Sequence, residues 1–137
     1  MSYVSLHNIV VNPDYTDAWM AGLFDGEGSI GITQRGDNDR HRVTLSLQMT
    51  DFDVVEQFFL QAGGGVLHTY PGTNKPCRRW TSTDRFVIND VLIRMLPWLG
   101  ERRQTKAAQA IESLSLLLDR KECSSIATRE RLRRRRL

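Results

Sequence analysis

The sequence predicts an α+β fold whose elements follow the order helix, two strands, helix, two strands and then helices. Three patterns carry this prediction. Residues 41–50 alternate between apolar and polar side chains, with the period of a half-buried strand. Hydroxyl or acidic residues precede stretches whose apolar residues recur at helical spacing, as they do at helix starts. Glycines follow the first two of these stretches and Pro97 interrupts the third, which marks their ends.

Length and composition indicate a single globular domain over residues 1–137. The 137 residues can bury a core, and an apolar content of 40% with a charged content of 26% is ordinary for globular proteins. The two cysteines are too few for a disulfide framework or a four-cysteine zinc site. The sequence has no apolar run that would span a membrane and no signal-peptide pattern. We therefore expect an intracellular protein without a secretion signal.

Four strands are predicted, in two consecutive pairs: Ser29 to Arg35, His41 to Thr50, Val66 to Tyr70, and Cys77 to Thr83. The second strand is the clearest, because one set of alternate residues is apolar and the other is polar. One face of this strand is therefore expected to pack on the core. In the second pair, Val66, Leu67 and Trp80 are expected close to the core, and Trp80 is expected to pack rather than to stack on a ligand.

The first two helices have recognisable starts and stops. Asn12-Pro13-Asp14 has the composition of a helix start, and Thr16 or Asp17 can cap the first helix instead. This helix runs into a glycine-rich tip. Asp51 is predicted to cap the second helix, which Gly63-Gly64-Gly65 brings to an end.

The third and fourth helices complete the domain. Asp84 is expected to start the third helix, and Pro97 to end or kink it. Arg102 to Leu118 has the apolar spacing of a long helix. The four helices and two strand pairs together leave only the two ends of the chain outside the predicted domain core.

The two ends of the chain are predicted as an N-terminal arm over residues 1–11 and a basic extension over residues 119–137. Residues 129–136 of the extension hold six arginines in eight positions. Such a segment can bind phosphates, which would make nucleic-acid affinity strongly dependent on salt, or it can be a solvated tail. The sequence leaves both interpretations open.

Met20 to Gly28 combines a helix of small residues with an acidic tip, in the order Met-Ala-Gly-Leu-Phe-Asp-Gly-Glu-Gly. Small residues allow two helices to approach closely. A carboxylate between two glycines can approach a ligand or a metal ion. Composition alone favours an ordinary helix that ends at a glycine and exposes its acids to solvent.

This nine-residue stretch resembles the LAGLIDADG motif of homing endonucleases, residue type by residue type. The departures are Met20 in place of leucine and Glu27 in place of the more usual aspartate. Glutamate, like aspartate, is a hard oxygen ligand for metal ions. The predicted order of elements from Asp14 to Leu118 is similar to the plan of that family. The resemblance therefore implies an antiparallel, saddle-shaped sheet of four strands with C-terminal helices.

A single copy of the motif in the chain implies a homodimer. In relatives with one motif, the motif helices pair across a two-fold axis, and each subunit brings one acidic tip to the centre. The resemblance places four residues of this chain at that interface: Ala18, Ala21, Gly22 and Asp25. Asp25 matches the first acid of the motif, whose role is mainly structural.

The resemblance also implies an activity: metal-dependent, site-specific cleavage of both strands of a long, near-palindromic DNA target, as in intron homing. The Glu27 carboxylate and the Gly26 backbone carbonyl would hold Mg²⁺, and Mn²⁺ or Ca²⁺ can bind in its place. Double-stranded DNA and a second copy of the chain are the implied partners, without a membrane or a small-molecule cofactor. Alternatives are an inactive relative that binds DNA or RNA, such as a maturase or regulator, and a plain α+β interaction protein.

Two further residues match catalytic positions of the family. Asp51 matches a position near the attacking water, although a plain helix cap is equally compatible with the sequence. Arg102 matches a basic position that stabilises developing negative charge. Arg103 and Lys106 compete with Arg102 for that role.

The polar face of the sheet is the predicted DNA-binding surface, because a two-stranded ribbon fits the major groove and its side chains can reach base edges. Arginine side chains would read guanine and glutamine would read adenine. The predicted DNA-binding residues are Thr33, Arg35, Arg40, Arg42, Thr44, Ser46, Gln48, His68, Tyr70, Arg79 and Thr81.

Overall fold

The structure is a computed structural model that describes residues 15–35, 40–71 and 74–115, with the backbone alone for residues 34, 35, 40 and 41. The predicted order of elements is confirmed. The elements are helix α1 (Asp17–Glu27), strands β1 (Gly28–Arg35) and β2 (Arg40–Met49), helix α2 (Phe52–Ala62), strands β3 (Val66–Tyr70) and β4 (Cys77–Ser82), helix α3 (Arg85–Met95), a 3₁₀ turn (Leu96–Trp98) and helix α4 over residues 101–115. No helix within these described ranges is long and apolar enough to cross a membrane.

The four strands form one antiparallel sheet in the order β1-β2-β4-β3. Leu47 on β2 lies opposite Gly28 on β1 and opposite Trp80 on β4. The two predicted strand pairs are thus joined through β2 and β4, which leaves β1 and β3 as the edges. The observed strand ends agree with the predicted ends to within one residue, as expected where a ladder frays into a loop.

The helix starts follow from local hydrogen bonds. Thr16 caps α1, and its hydroxyl oxygen accepts from the Trp19 N–H at 3.2 Å. Residues 12–14, the other predicted start, lie outside the described part of the chain. Asp84 caps α3, and its carboxylate accepts from the N–H groups of Phe86 and Val87 at 2.8 and 3.2 Å. Gly63 ends α2 in the left-handed conformation with φ of 78°.

The core lies between the helices and one face of the sheet, and three aromatic rings form its centre. Phe58 packs against Phe24 on one side, with centroids 6.2 Å apart, and against Trp80 on the other, at 4.9 Å. All three are fully buried. The Trp80 indole donates to the Gly64 carbonyl at 2.8 Å, so its only polar atom is satisfied. The prediction that Trp80 packs in the core is confirmed.

Arg94 on α3 ties together two helix ends that the sequence did not connect. Its guanidinium donates to the carbonyls of Gln61 and Ala62 at the end of α2, at 3.0 and 2.9 Å. The same group forms an ion pair with Asp17 at the start of α1, at 3.0 Å. A cation at a helix C-terminus and an acid at a helix N-terminus are both favourable, so one side chain fixes the relative position of three helices.

Candidate active site and nucleic-acid interface

One face of the sheet is covered by the helices, and the other is open. Along β2, buried Val43, Leu45 and Leu47 alternate with side chains that reach the open face. Nine of the eleven predicted DNA-binding residues lie on that face by strand alternation and register: Thr33, Arg42, Thr44, Ser46, Gln48, His68, Tyr70, Arg79 and Thr81. Arg35 and Arg40 are register partners at the ends of β1 and β2, and their side chains lie outside the described part.

The open face is organised in rows of cross-strand partners. One row is long and polar, with Gln48, Arg79 and His68 side by side on β2, β4 and β3. The neighbouring row is short, and it consists of Ser29, Ser46, Thr81 and Val66. A row of long polar side chains therefore lies beside a row of short ones. The sequence alone does not show these rows, because they depend on the register between the strands.

Val66 is a correction to the sequence analysis, which expected it near the core. Its side chain is 52% exposed and shares the open face with Thr81, its partner on β4. The alternation places Leu67 instead on the core side, opposite buried Trp80. Val66 thus lies on the face of the sheet that the described helices leave open, which accounts for its exposure.

The acidic tip ends α1 at the edge of this open face. Glu27 is the last residue of the helix, is exposed, and forms no hydrogen bond or ion pair with any described residue. Gly28 follows it directly and begins β1 opposite Leu47. A Cβ atom at Gly28 would overlap the ring of Phe24, so only glycine allows the chain to turn this closely from helix to strand.

Asp25, two residues before Glu27, is held by contacts with the start of α4. Its carboxylate accepts from the Gly100 N–H at 2.8 Å, and its backbone carbonyl accepts from the Arg103 guanidinium at 2.9 Å. Arg103 also lies 5.6 Å from the centre of the Phe24 ring. Asp25 therefore joins the end of α1 to the start of α4 within one chain, which agrees with the structural role expected for the first acid of the motif, and its contact with a partner stays a prediction.

The outer side of α1 carries the small residues that remain accessible. Gly22 and Gly26 are exposed, and a Cβ atom added at either would meet nothing within 4 Å. Ala18, four residues before Gly22, is half-buried on the same side. Ala21 is fully buried in the core of its own chain, and its place at a dimer interface stays a prediction. The rotation of the helix from one residue to the next turns the Ala21 side chain into the core and leaves the neighbouring Gly22 exposed.

A cleft of about 350 Å³ lies beside the tip, between the start of β1 and the outer side of α4. It is lined by Gly28, Ser29, Ile30, Arg102, Arg103, Thr105, Lys106 and Gln109. Arg102 and Lys106 are exposed, one helical turn apart, and unpaired among the described residues. Arg103 is engaged by Asp25. Of the three competing basic residues, two thus remain available to an anion in the cleft.

Asp51 lies at the same end of the sheet as the tip, because it follows β2 two residues after Met49 while β1 begins opposite Leu47. It occupies the cap position of α2, but its side chain accepts no capping hydrogen bond. Its backbone dihedrals, φ −83° and ψ 89°, lie outside the extended region usual for a cap. Its exposed carboxylate has no hydrogen-bond or ion-pair partner among the residues that the structure describes.

One chain alone offers few metal ligands. The described ranges contain no group of three or more His, Cys, Asp or Glu side chains placed to share an ion. The tip supplies the Glu27 carboxylate and, at the point where intrahelical partners run out, the Gly26 carbonyl. This donor set consists of hard oxygen atoms, and it fits Mg²⁺, which takes few protein ligands and completes its shell with waters and substrate phosphates.

Comparison with solved structures finds similar folds among DNA-cleaving enzymes. The homing endonuclease I-CvuI in complex with its target, in the presence of calcium, is 20% identical, with a TM-score of 0.63 over 80% of this chain and 72% of that one. The group I intron-encoded homing endonuclease I-CeuI, complexed with DNA, is 14% identical, with a TM-score of 0.65 over 82% of this chain and 59% of that one.

A third similar structure is the LAGLIDADG homing endonuclease I-GzeII in complex with a DNA target. It is 16% identical, with a TM-score of 0.66 over 89% of this chain and 43% of that one. No protein-family model and no curated protein sequence matches the chain. At these low identities the comparison concerns architecture, and the order of elements and the antiparallel four-stranded sheet agree. The chain has the fold of the LAGLIDADG homing endonucleases.

Proposed function

We propose that this chain is a DNA endonuclease that acts as a homodimer and uses Mg²⁺ to hydrolyse one phosphodiester bond in each strand of a long, near-palindromic site. The observation that carries the proposal is the position of the Glu27 carboxylate, which has no partner among the described residues. It stands at one end of the open polar face, next to a cleft whose side chains Arg102 and Lys106 are likewise unpaired in the described ranges. Together these features offer a group for metal, groups for phosphate and a surface for bases.

A second copy of the chain supplies what one copy lacks. Each tip contributes a single free carboxylate, whereas a symmetric pair of α1 helices would bring two together. The accessible small residues Ala18, Gly22 and Gly26 lie on one side of α1 and let two backbones approach closely. The two-fold axis would also duplicate the open face, so each copy would read one half of the target.

The chain's own residues have distinct tasks in this proposal. When bound, the metal ion would supply an activated water and stabilise the leaving oxygen. Glu27 and Gly26 hold the ion. Arg102 and Lys106 attract the phosphate and favour the negative charge that develops on it. The free Asp51 carboxylate orients solvent near the tip, which is the role its position in the resemblance implies.

The open face would lie in the major groove. Its row of Gln48, Arg79 and His68 carries hydrogen-bond donors and acceptors that would contact base edges. Arg42 and Thr33 extend the face toward the end of the β1–β2 hairpin. Such an enzyme works inside the cell, where its DNA target is, and a double-strand break at one site is the reaction that intron homing uses.

The proposal is tested by incubating the chain with a DNA library of random sequence and Mg²⁺, and recovering the cleaved molecules. We expect a near-palindromic site. On that site, Glu27→Gln should lower the single-turnover cleavage rate by at least about 100-fold and leave binding in Ca²⁺ intact. Glu112→Gln, at an exposed acid on α4 that does not line the cleft, is the matched control and should cleave normally.

Two results would contradict the proposal. Specific binding without cleavage in Mg²⁺ or Mn²⁺ would favour the alternative of a binding relative, such as a maturase or a regulator. Absence of DNA binding at low salt, together with a monomer in solution, would favour a plain interaction protein. Full activity of Glu27→Gln would remove the assigned role of Glu27.

A further inference from the structure

We propose that Val66 is a specificity-determining residue that reads the C5 methyl group of a thymine in the major groove. This inference rests on the proposed function and names one base contact within it. Val66 has the only aliphatic side chain among the described residues of the open face, and it is 52% exposed there. The other exposed side chains of that face are polar or aromatic.

The neighbours of Val66 make this position suited to an apolar contact. Its cross-strand partner Thr81 uses its hydroxyl to donate to the Leu45 carbonyl at 3.1 Å, so that hydroxyl is occupied. Thr81 in turn pairs with Ser46. The row is therefore short, and Val66 keeps about half of its side chain accessible beside it. A methyl group that projects into the groove can reach the isopropyl group of Val66.

The backbone before Val66 holds the side chain in place. Gly65 has φ of 102°, and a Cβ atom there would overlap the Trp80 indole. The same indole donates to the Gly64 carbonyl at 2.8 Å. The entry to β3 is thus clamped to a fully buried side chain of the core. A preorganised apolar group loses little conformational entropy on binding, which favours a contact as small as one methyl group.

The chemistry of the groove identifies the base. In the major groove only thymine presents an apolar group, its C5 methyl, while the other base edges present hydrogen-bond donors and acceptors. The polar row of Gln48, Arg79 and His68 lies two residues further along the strands, or about 6.7 Å. This distance is about two base-pair steps of 3.4 Å. The thymine should therefore lie within about two base pairs of a base contacted through hydrogen bonds.

The test replaces each thymine of the cleaved site by deoxyuridine, one symmetric pair at a time, and measures the affinity of the unsubstituted protein in Ca²⁺. Deoxyuridine keeps every hydrogen-bonding group and lacks only the methyl. We expect one position where the change weakens binding about fourfold per half-site, the effect of one buried methyl group. Val66→Ala should bind thymine and deoxyuridine at that position equally well.

His68→Ala is the matched control, because His68 lies two residues away on the same strand and the same face. It should weaken binding and keep the full preference for thymine over deoxyuridine. Thermal melting verifies that both variants fold, as expected for exposed positions. A preference that persists in Val66→Ala, or no thymine at which deoxyuridine matters, would overturn the assignment while the endonuclease proposal stands. Failure to bind any DNA would overturn both.

Discussion

The two acids at the end of helix α1 lie two residues apart and have opposite surroundings. Asp25 is bound on both its carboxylate and its backbone carbonyl, by Gly100 and Arg103, and so connects α1 to α4. Glu27 is exposed and bound to nothing in the described part. The same division separates Arg103 from Arg102, its neighbour in the chain. Asp25 and Arg103 hold the end of α1 against α4, whereas Glu27 and Arg102 have no partner among the described residues.

Free charges on one side of the tip do not contribute to stability, since exposed groups gain little even when they are paired. Arg102 even lies in the first turn of a helix, where a cation opposes the helix dipole. A site for metal and phosphate requires such groups, held rigidly by neighbours and unoccupied. Those neighbours are Asp25, Arg103 and Gly28, which we call committed residues because contacts within the fold occupy them. The comparison therefore predicts that substitutions of committed residues lower stability, whereas substitutions of the free charged residues lower activity.

The largest effect on stability is expected from Gly28→Ala. The added Cβ atom would overlap the Phe24 ring in the centre of the core, so either the ring or the helix-to-strand turn must move. We expect a loss of about 3 kcal/mol in the free energy of unfolding, measured with urea. Gly26→Ala is the control, because its Cβ atom meets nothing within 4 Å. Equal stability of the two variants would show that the tip is not held by this packing.

The next effect separates the two arginines. Arg103→Ala removes a charged hydrogen bond to the Asp25 carbonyl, and the Arg103 side chain is only 19% exposed, so we expect a loss of about 2 kcal/mol in urea unfolding. Arg102→Ala should leave stability within error and lower the single-turnover cleavage rate at least about tenfold. If the two variants lost stability equally, the division between committed and free residues at α4 would be incorrect.

The division of roles is also where sequence reasoning reached its limit. The sequence predicts Arg102 as the basic residue of the site, with Arg103 and Lys106 as competitors, and only the rotation of α4 relative to α1 decides which side chain turns inward. The same holds for Ala21 and Gly22, which are adjacent in the sequence, although the side chain of Ala21 is buried and Gly22 faces open space. Helix phase depends on how the whole domain packs, so a local pattern identifies the segment and not the face.

The order of elements was predictable because its signals are local. The alternation along β2 sets one face toward the core, and Gly63 provides the left-handed conformation that ends α2. Val66 was misplaced because β3 has five residues and an alternation too short to show which face is covered. Register with β4 settles that point, and register is a long-range property. The Arg94 contacts to α1 and α2 escaped detection for the same reason.

A smaller effect sharpens the comparison at the helix caps, where the sequence gives Asp51 and Asp84 the same role. Asp84 accepts two capping hydrogen bonds and Asp51 accepts none. Asp84→Ala should therefore cost about 1 kcal/mol in urea unfolding, and Asp51→Ala should be indistinguishable from the unsubstituted protein. Cleavage assays complete the comparison, since Asp51→Ala is expected to cleave more slowly and Asp84→Ala at the normal rate below its unfolding transition. A stability loss in Asp51→Ala would mean that the carboxylate is committed after all.

The smallest effect tests the free side of α1 itself, through Gly22→Ala. In a single chain the added methyl meets nothing, and alanine is the better helix former, so unfolding at low protein concentration should become harder by about 0.5–1 kcal/mol. In a dimer the same methyl would separate the two α1 helices, so sedimentation should show weaker association. The control is Ala108→Gly, at an exposed position of α4, which should lower stability and leave association unchanged. A variant that is more stable and still fully dimeric would show that the dimer contact lies elsewhere. Two closely packed helices must move apart when a methyl group is added between them.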